Sequence, residues 1–255
     1  MSHISPVLTT LINAVKKSTN SLNRDFAEIE SLQTSINGAK NFSLLSIKKV
    51  EEALINELHL YKPDYPIYKN VSSVKTNNCF LINVADNFTN FNKGLDFCGI
   101  SVVIVEEGTP LATVVFNPAT KKAYFAQKGK GAYTEGFRNH ERLRVSGQKD
   151  IKEATITTDA QNFEKVSKLC KSVTILGTSI MDFIYCASGK FDGAILSNVD
   201  LSTLIAGTMI VKESGGYSFA LEQKDFREQN FDLIYNTRNV VITNTNLNKT
   251  LPEIL

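Results

Sequence analysis

Four cysteines, three histidines and a glycine–lysine turn are the first groups in this 255-residue sequence to weigh for chemistry. Cys79, Cys98, Cys170 and Cys186 lie far apart and form no Cys-x-x-Cys pair. A zinc site favours close ligand pairs, so these residues read as buried free thiols in a reducing compartment. His3, His59 and His140 are scattered, which argues against histidine-based acid–base catalysis. Lys128-Gly129-Lys130-Gly131 has the composition of a phosphate loop without the Walker spacing, and reads as a solvated turn. Lys16-Lys17 and Lys48-Lys49 read as exposed helix faces.

The elements that position these groups follow from hydrophobic spacing. Val7, Leu11, Ile12, Val15, Leu22 and Phe26 recur at threes and fours, predicting one helix over 7–28. Val50, Ala53, Leu54 and Leu58 predict another from Ser46 to Leu60, stopped by Lys62-Pro63. The stretch between them, 31–42, reads as strand then turn. From Cys79 the character changes to antiparallel strands rich in Val, Ile, Thr and Phe, with turns at Glu107-Gly108 and Asn117-Pro118. Residues 154–158 and 173–176 read as strands around a helix near 161–171. Helices are expected over 180–188 and 202–214, closed by Gly189 and Gly215-Gly216, with strands at 191–196 and in the final NVVITN. This is a mixed helix-and-sheet chain with an N-terminal half, 1–145, and a C-terminal half, 146–255.

Composition bounds the function. Lys+Arg 28 against Asp+Glu 26 leaves a net charge of +2, too balanced for a dedicated nucleic-acid binder. The longest strongly apolar run, Ile100 to Val105, is far short of the roughly 20 residues of a membrane span. The first residues lack a basic region followed by a long apolar one, so no secretory signal is read and a cytoplasmic location is expected.

Three stretches resemble the inositol monophosphatase family. Phe116–Gly136 followed by Arg142–Gly147 is similar to its sheet hairpin. Met181–Asn198 is similar to its Leu-Asp-x-x-Tyr-x-x-x-Gly-(Arg/Lys)-x-Asp-Gly segment, and Ile205–Gly216 to its helix ending in Glu-x-Gly-Gly. Arg24–Phe42 resembles the bacterial SuhB-like branch. The resemblance implies an α+β fold, an α-β-α-β-α layered sandwich, dimeric, built to hydrolyse phosphate monoesters with Mg²⁺. Mg²⁺ prefers several oxygen ligands, and clustered ions activate water and neutralise phosphate charge. Carboxylate count is therefore the test of activity.

Against the family's Asp-Pro-(Leu/Ile)-Asp-Gly-Thr-Thr-Asn-Phe, this sequence has Asn83-Val84-Ala85-Asp86-Asn87-Phe88-Thr89-Asn90-Phe91. A metal-binding Asp has become Asn83, Asp86 is retained, the Gly is Asn87, and the two Thr positions are Phe88 and Thr89. The upstream Glu-Glu pair falls at Asn70-Val71, an earlier Asp at Ile47, the metal-binding Asp of the later helix at Thr203, and a substrate-binding Glu at Leu196. The resemblance thus implies a vestigial centre at Asn70, Asn83, Asp86, Thr89 and Thr203, with Asp86 the one metal ligand left. It implies a vestigial substrate pocket at Asn87, Phe88, Thr89, Gly177, Thr178 and Leu196. Asp86 also reads as a turn or capping residue, Asp182 as a brace inside the fold, and Thr89 and Asn90 as a helix start whose amides could hold an anion. The expectation is an inactive or severely impaired homologue with a binding or regulatory role and no cofactor. An active Mg²⁺-dependent phosphomonoesterase is the alternative. By resemblance, the expected partners are a second copy and RNA polymerase or ribosome-assembly machinery.

Overall fold

The computed structural model describes residues 4–31, 36–69, 73, 76–136 and 139–253. The chain opens with helices α1 (Pro6–Ser18), α2 (Leu22–Ser31) and α3 (Ile36–Tyr61). Among the described residues, strands β1 (Ile67–Tyr68), β2 (Cys79–Asp86), β3 (Gly99–Glu106), β4 (Thr109–Asn117), β5 (Lys122–Gln127), β6 (Gly131–Glu135) and β7 (His140–Arg142) form one sheet in chain order. Its pairs are antiparallel except β1 with β2. A short helix, α4 (Phe88–Asn92), links β2 to β3.

The second sheet runs β11-β12-β10-β8-β9. Its strands are β8 (Thr155–Thr158), β9 (Ser172–Thr174), β10 (Gly193–Leu196), β11 (Tyr217–Ala220) and β12 (Val240–Thr243). Between them come α5 (Phe163–Ser167), α6 (Ser179–Ala187), α7 (Leu201–Glu213) and α8 (Phe231–Thr237), and α9 (Thr250–Glu253) closes the described chain.

The pleat of the first sheet sorts its side chains onto two faces. Phe80, Ile82, Val102, Ile104, Val114 and Phe125 pack under α1, α2 and α3. Leu81, Val103, Val115, Tyr124 and Ala126 face α6 and α7, whose other sides meet Ala194, Leu196 and Ile242 of the second sheet. Val166, Leu247 and Leu251 cover that sheet's outer face over Ile156, Ile195 and Val241. The layers are therefore helix, sheet, helix, sheet, helix.

Two expectations near the N-terminus are corrected. The helix expected over 7–28 is two helices: α1 ends at Ser18, and the Thr19 hydroxyl turns back to the Val15 carbonyl at 2.8 Å. The strand and turn expected over 31–42 are overturned by α3 from Ile36 on, while residues 32–35 lie outside the described residues. The Asn37-Gly38 turn signal loses to a buried face at Ala39, Ser43, Ser46, Val50, Leu54 and Leu58. Two of those positions are serines, so hydropathy hides the helical period; Ser43 donates to the Ala39 carbonyl at 2.8 Å. Strand β11 and helix α8 went unread, because Tyr217–Ala220 and Phe231–Thr237 are short and flanked by polar loops.

The Lys128–Gly131 turn holds an anion of the chain's own. Glu213, at the end of α7, accepts from the Gly129 and Gly131 amides, each at 2.8 Å. Among the described residues no helix is long and apolar enough to cross a membrane.

Candidate functional site

Strand β2 carries Asn83 and Asp86 to the point where α4, α6 and α7 begin. Its register with β3 shifts between these two residues. Asp86 is buried, and its Oδ2 accepts from Thr178 Oγ1 at 2.7 Å and from the Ile180 amide at 2.9 Å. Thr178 is the N-cap of α6 but makes no capping bond of its own, so Asp86 caps that helix from another part of the chain. Asp86 Oδ1 accepts from Thr203 Oγ1 at 3.3 Å, and Thr203 Oγ1 accepts from Asn83 Nδ2 at 2.9 Å. Asn83 Oδ1 accepts from the Ala85 amide at 3.1 Å. Asp200 caps α7, accepting from the Ser202 and Thr203 amides.

Burial pushes the Asp86 carboxyl above the usual carboxylate range. Hydrogen bonds from Ile180, Thr178 and Thr203 pull it back, and the charge of Asp200 adds to the rise.

The expected pocket residues take these places. Asn87 adopts the left-handed conformation, φ 59°, and its Oδ1 accepts from the Thr89 and Asn90 amides. Asparagine tolerates that backbone better than most residues, so the turn forms without a glycine. The two amides expected to hold an anion are thereby already bonded. Asn87 Nδ2 donates to the Gly177 carbonyl. Gly177 has φ +71°, and a Cβ there would lie 3.0 Å from Asn87 Nδ2. Phe88 is half-buried and Thr89 exposed. Leu196 ends β10 within the apolar core, where its side chain offers no polar atom. Asn70 and Val71 lie outside the described residues. Ile47 lines an apolar crevice of about 10 Å³ with Val84, Ala85, Phe91 and Cys98, room for at most about one water.

Asn83, Asp86, Thr178 and Thr203, remote in sequence, are thus joined in one network, with Asn87 and Gly177 beside it. Two further residues act here that sequence reasoning did not assign to the site, Asp200 and Thr157, and a third, Asn90, was read only through its backbone amide. Asp200 caps α7, and an Asp just ahead of an apolar run is a readable N-cap signal. Asn90 is buried and donates to the Phe97 and Leu176 carbonyls, each at 2.8 Å, tying the two halves together. Thr157 donates to Asp182 at 2.5 Å, which braces α6 against β8.

Among the described residues, the donor set around Asp86 does not fit a Mg²⁺ cage. The ion wants near-octahedral oxygen coordination with carboxylate charge. Both oxygens of Asp86 already accept from protein donors, Asn83 presents its amide NH₂ inward, and Thr203 brings no charge. Among the described residues no group of three His, Cys, Asp or Glu side chains is placed to share a metal.

Comparison with known proteins fixes the lineage of this arrangement. The family model described as the inositol monophosphatase family matches residues 5–254. The chain belongs to the inositol monophosphatase family. An inositol-1-monophosphatase of Rhizobium meliloti is 29% identical over 230 residues, 84% of this chain and 85% of the relative. A Nus factor SuhB of Pasteurella multocida is 27% identical over 229 residues, 84% of each chain. In structure, the chain superposes on the extragenic suppressor protein suhB of Bartonella henselae with a TM-score of 0.81, at 24% identity, over 98% of this chain and 99% of that one. That likeness establishes the inositol-monophosphatase layered sandwich as the fold.

Proposed function

We propose that this family member has lost, or nearly lost, Mg²⁺-dependent phosphomonoester hydrolysis and serves a binding or regulatory role. The observation that carries this reading is the Asn83–Thr203–Asp86 network. Where the family's chemistry needs charged ligands open to metal, neutral side chains here bond to one another and to the one carboxylate. Clustered ions generate the nucleophile and neutralise the phosphate, so a centre without their ligands has little to catalyse with. Relatives named Nus factor SuhB support a partner in transcription or ribosome-assembly machinery, and a homodimer is the proposed assembly.

A second reading, an active Mg²⁺-dependent phosphomonoesterase, has one observation in its favour. Asp200 accepts from the Thr203 amide, whose own hydroxyl donates to Asp86, and would supply a second carboxylate.

Hydrolysis of a panel of phosphate monoesters across a Mg²⁺ titration, with melting temperature read in parallel, separates the two. The expected result is no Mg²⁺-dependent turnover and no saturable stabilisation. Specific binding at 100 times the dissociation constant would add about 2.7 kcal/mol. A saturable rise in melting temperature that disappears in Asp86→Ala, or turnover that follows Mg²⁺, would overturn the first reading and establish the second.

A further inference from the structure

A second concave site lies away from Asp86, between the start of α1 and the far end of the first sheet. It is a cavity of about 400 Å³, within the size range of small-molecule sites. Its floor is apolar, with Ile4 and Leu8 from the N-terminal segment and Phe125 from β5. Its wall is aromatic: the Tyr133 ring lies 6.2 Å from Phe125 at 22°, and His140 meets Phe125 edge-on at 5.1 Å. Its rim is cationic. Lys130 lines it, is exposed, and makes no ion pair among the described residues.

Strand geometry adds a second charge. His140 and Arg142 alternate onto the same face of β7, and Arg142 stands opposite Tyr133. The Arg142 guanidinium lies 5.8 Å from the Tyr133 ring centre, and it would sit 3.0 Å from a Cβ at Gly131, a residue of the cavity wall. No acidic side chain is among the described residues that line the cavity. Glu213 reaches the same turn through the backbone, but from α7 on the opposite face of the sheet. His140 Nδ1 is shielded from water and has no hydrogen-bond partner among the described residues, so His140 serves the cavity by its ring.

We propose that this cavity binds a small aromatic anion, its ring on Phe125 and Tyr133 and its negative group at Lys130 and Arg142. The apolar floor takes the ring out of water, and the two cations select for charge. The site owes nothing to the centre at Asp86, so it stands whether or not that centre is active.

The test is titration of the intact chain with 2-naphthoate by calorimetry, beside the neutral 2-naphthalenemethanol. Saturable, one-to-one binding of the carboxylate is expected, with the alcohol about tenfold weaker or more, the loss of one charge-assisted hydrogen bond. Lys130→Glu changes an exposed turn residue, and should weaken 2-naphthoate by at least about tenfold while the melting temperature stays at the parent's. Absence of saturable binding, equal affinity for the alcohol, or affinity unchanged in Lys130→Glu would each overturn the proposal. So would occupation of this face by a second copy, seen as a dimer that Lys130→Glu dissociates.

Discussion

Thr203 is the pivot of the network at Asp86. A hydroxyl with one proton bridges Asp86 and Asn83, so it serves as donor to one and acceptor from the other. Asn83→Asp would replace the donating NH₂ with a second carboxylate facing Thr203 and close to Asp86. No measurable Mg²⁺-dependent phosphatase activity is expected from that variant, and its melting temperature should fall. Groups that act as one catalytic unit are strongly non-additive, so turnover should require Glu at Asn70, Asp at Asn83, Thr at Phe88 and Asp at Thr203 together. Robust hydrolysis by Asn83→Asp alone would show a nearly intact site.

Asp182 gives a pH prediction. It is buried, and burial lifts its carboxyl well above the ordinary value; the Thr157 hydrogen bond opposes this, and Asp86 and Asp159 add to it. A raised carboxyl binds its proton more tightly folded than unfolded, so its contribution is full below the unfolded value of about 3.9 and is lost as pH rises through the folded value. Asp182→Asn should remove that loss, so the parent-minus-variant stability should fall with pH across the window. Urea unfolding of both proteins at several pH values measures it, and a flat difference would refute it. The resemblance singled out Asn83, Asp86, Thr178 and Thr203, which the fold joins in one network, but it did not single out Asp200. The partnerships were not legible in the sequence, since Asn83 and Thr203 stand 120 residues apart and only the packing of α7 against β2 brings them together.

At the level of elements, hairpins and long apolar helices were legible because their periods are written in Val, Ile and Leu. The first turns of α3 were not, because Ala39, Ser43 and Ser46 bury small or polar groups along the helical stripe. The Lys128–Gly131 turn was legible as a turn, but its clasp by Glu213 required the fold. Two backbone amides share that carboxylate. Glu213→Ala should therefore cost about 1–2 kcal/mol, with faster amide exchange at Gly129 and Gly131. Unchanged exchange there would mean that the turn holds its shape alone.

For the whole molecule, α6 and α7 are packed by both sheets, and side chains of β2, β3 and β10 share one continuous core with them. The halves 1–145 and 146–255 are therefore proposed to unfold as one unit. Calorimetry should show a single transition with equal calorimetric and van't Hoff enthalpies, and two resolved transitions would separate the halves.

Helix α7 has one more consequence. Leu201 through Val211 are all buried, so it has no wet side along most of its length. It packs on β2, β3, β4, β5 and β6, all made long before it. During synthesis on the ribosome, that face of the first sheet has only the short α6 to cover it until α7 emerges, leaving much of the surface around Leu81, Val103 and Val115 open to other nascent chains. A chain halted before residue 201 should aggregate or be held by chaperones, and release should come only when the last fifth of the protein arrives.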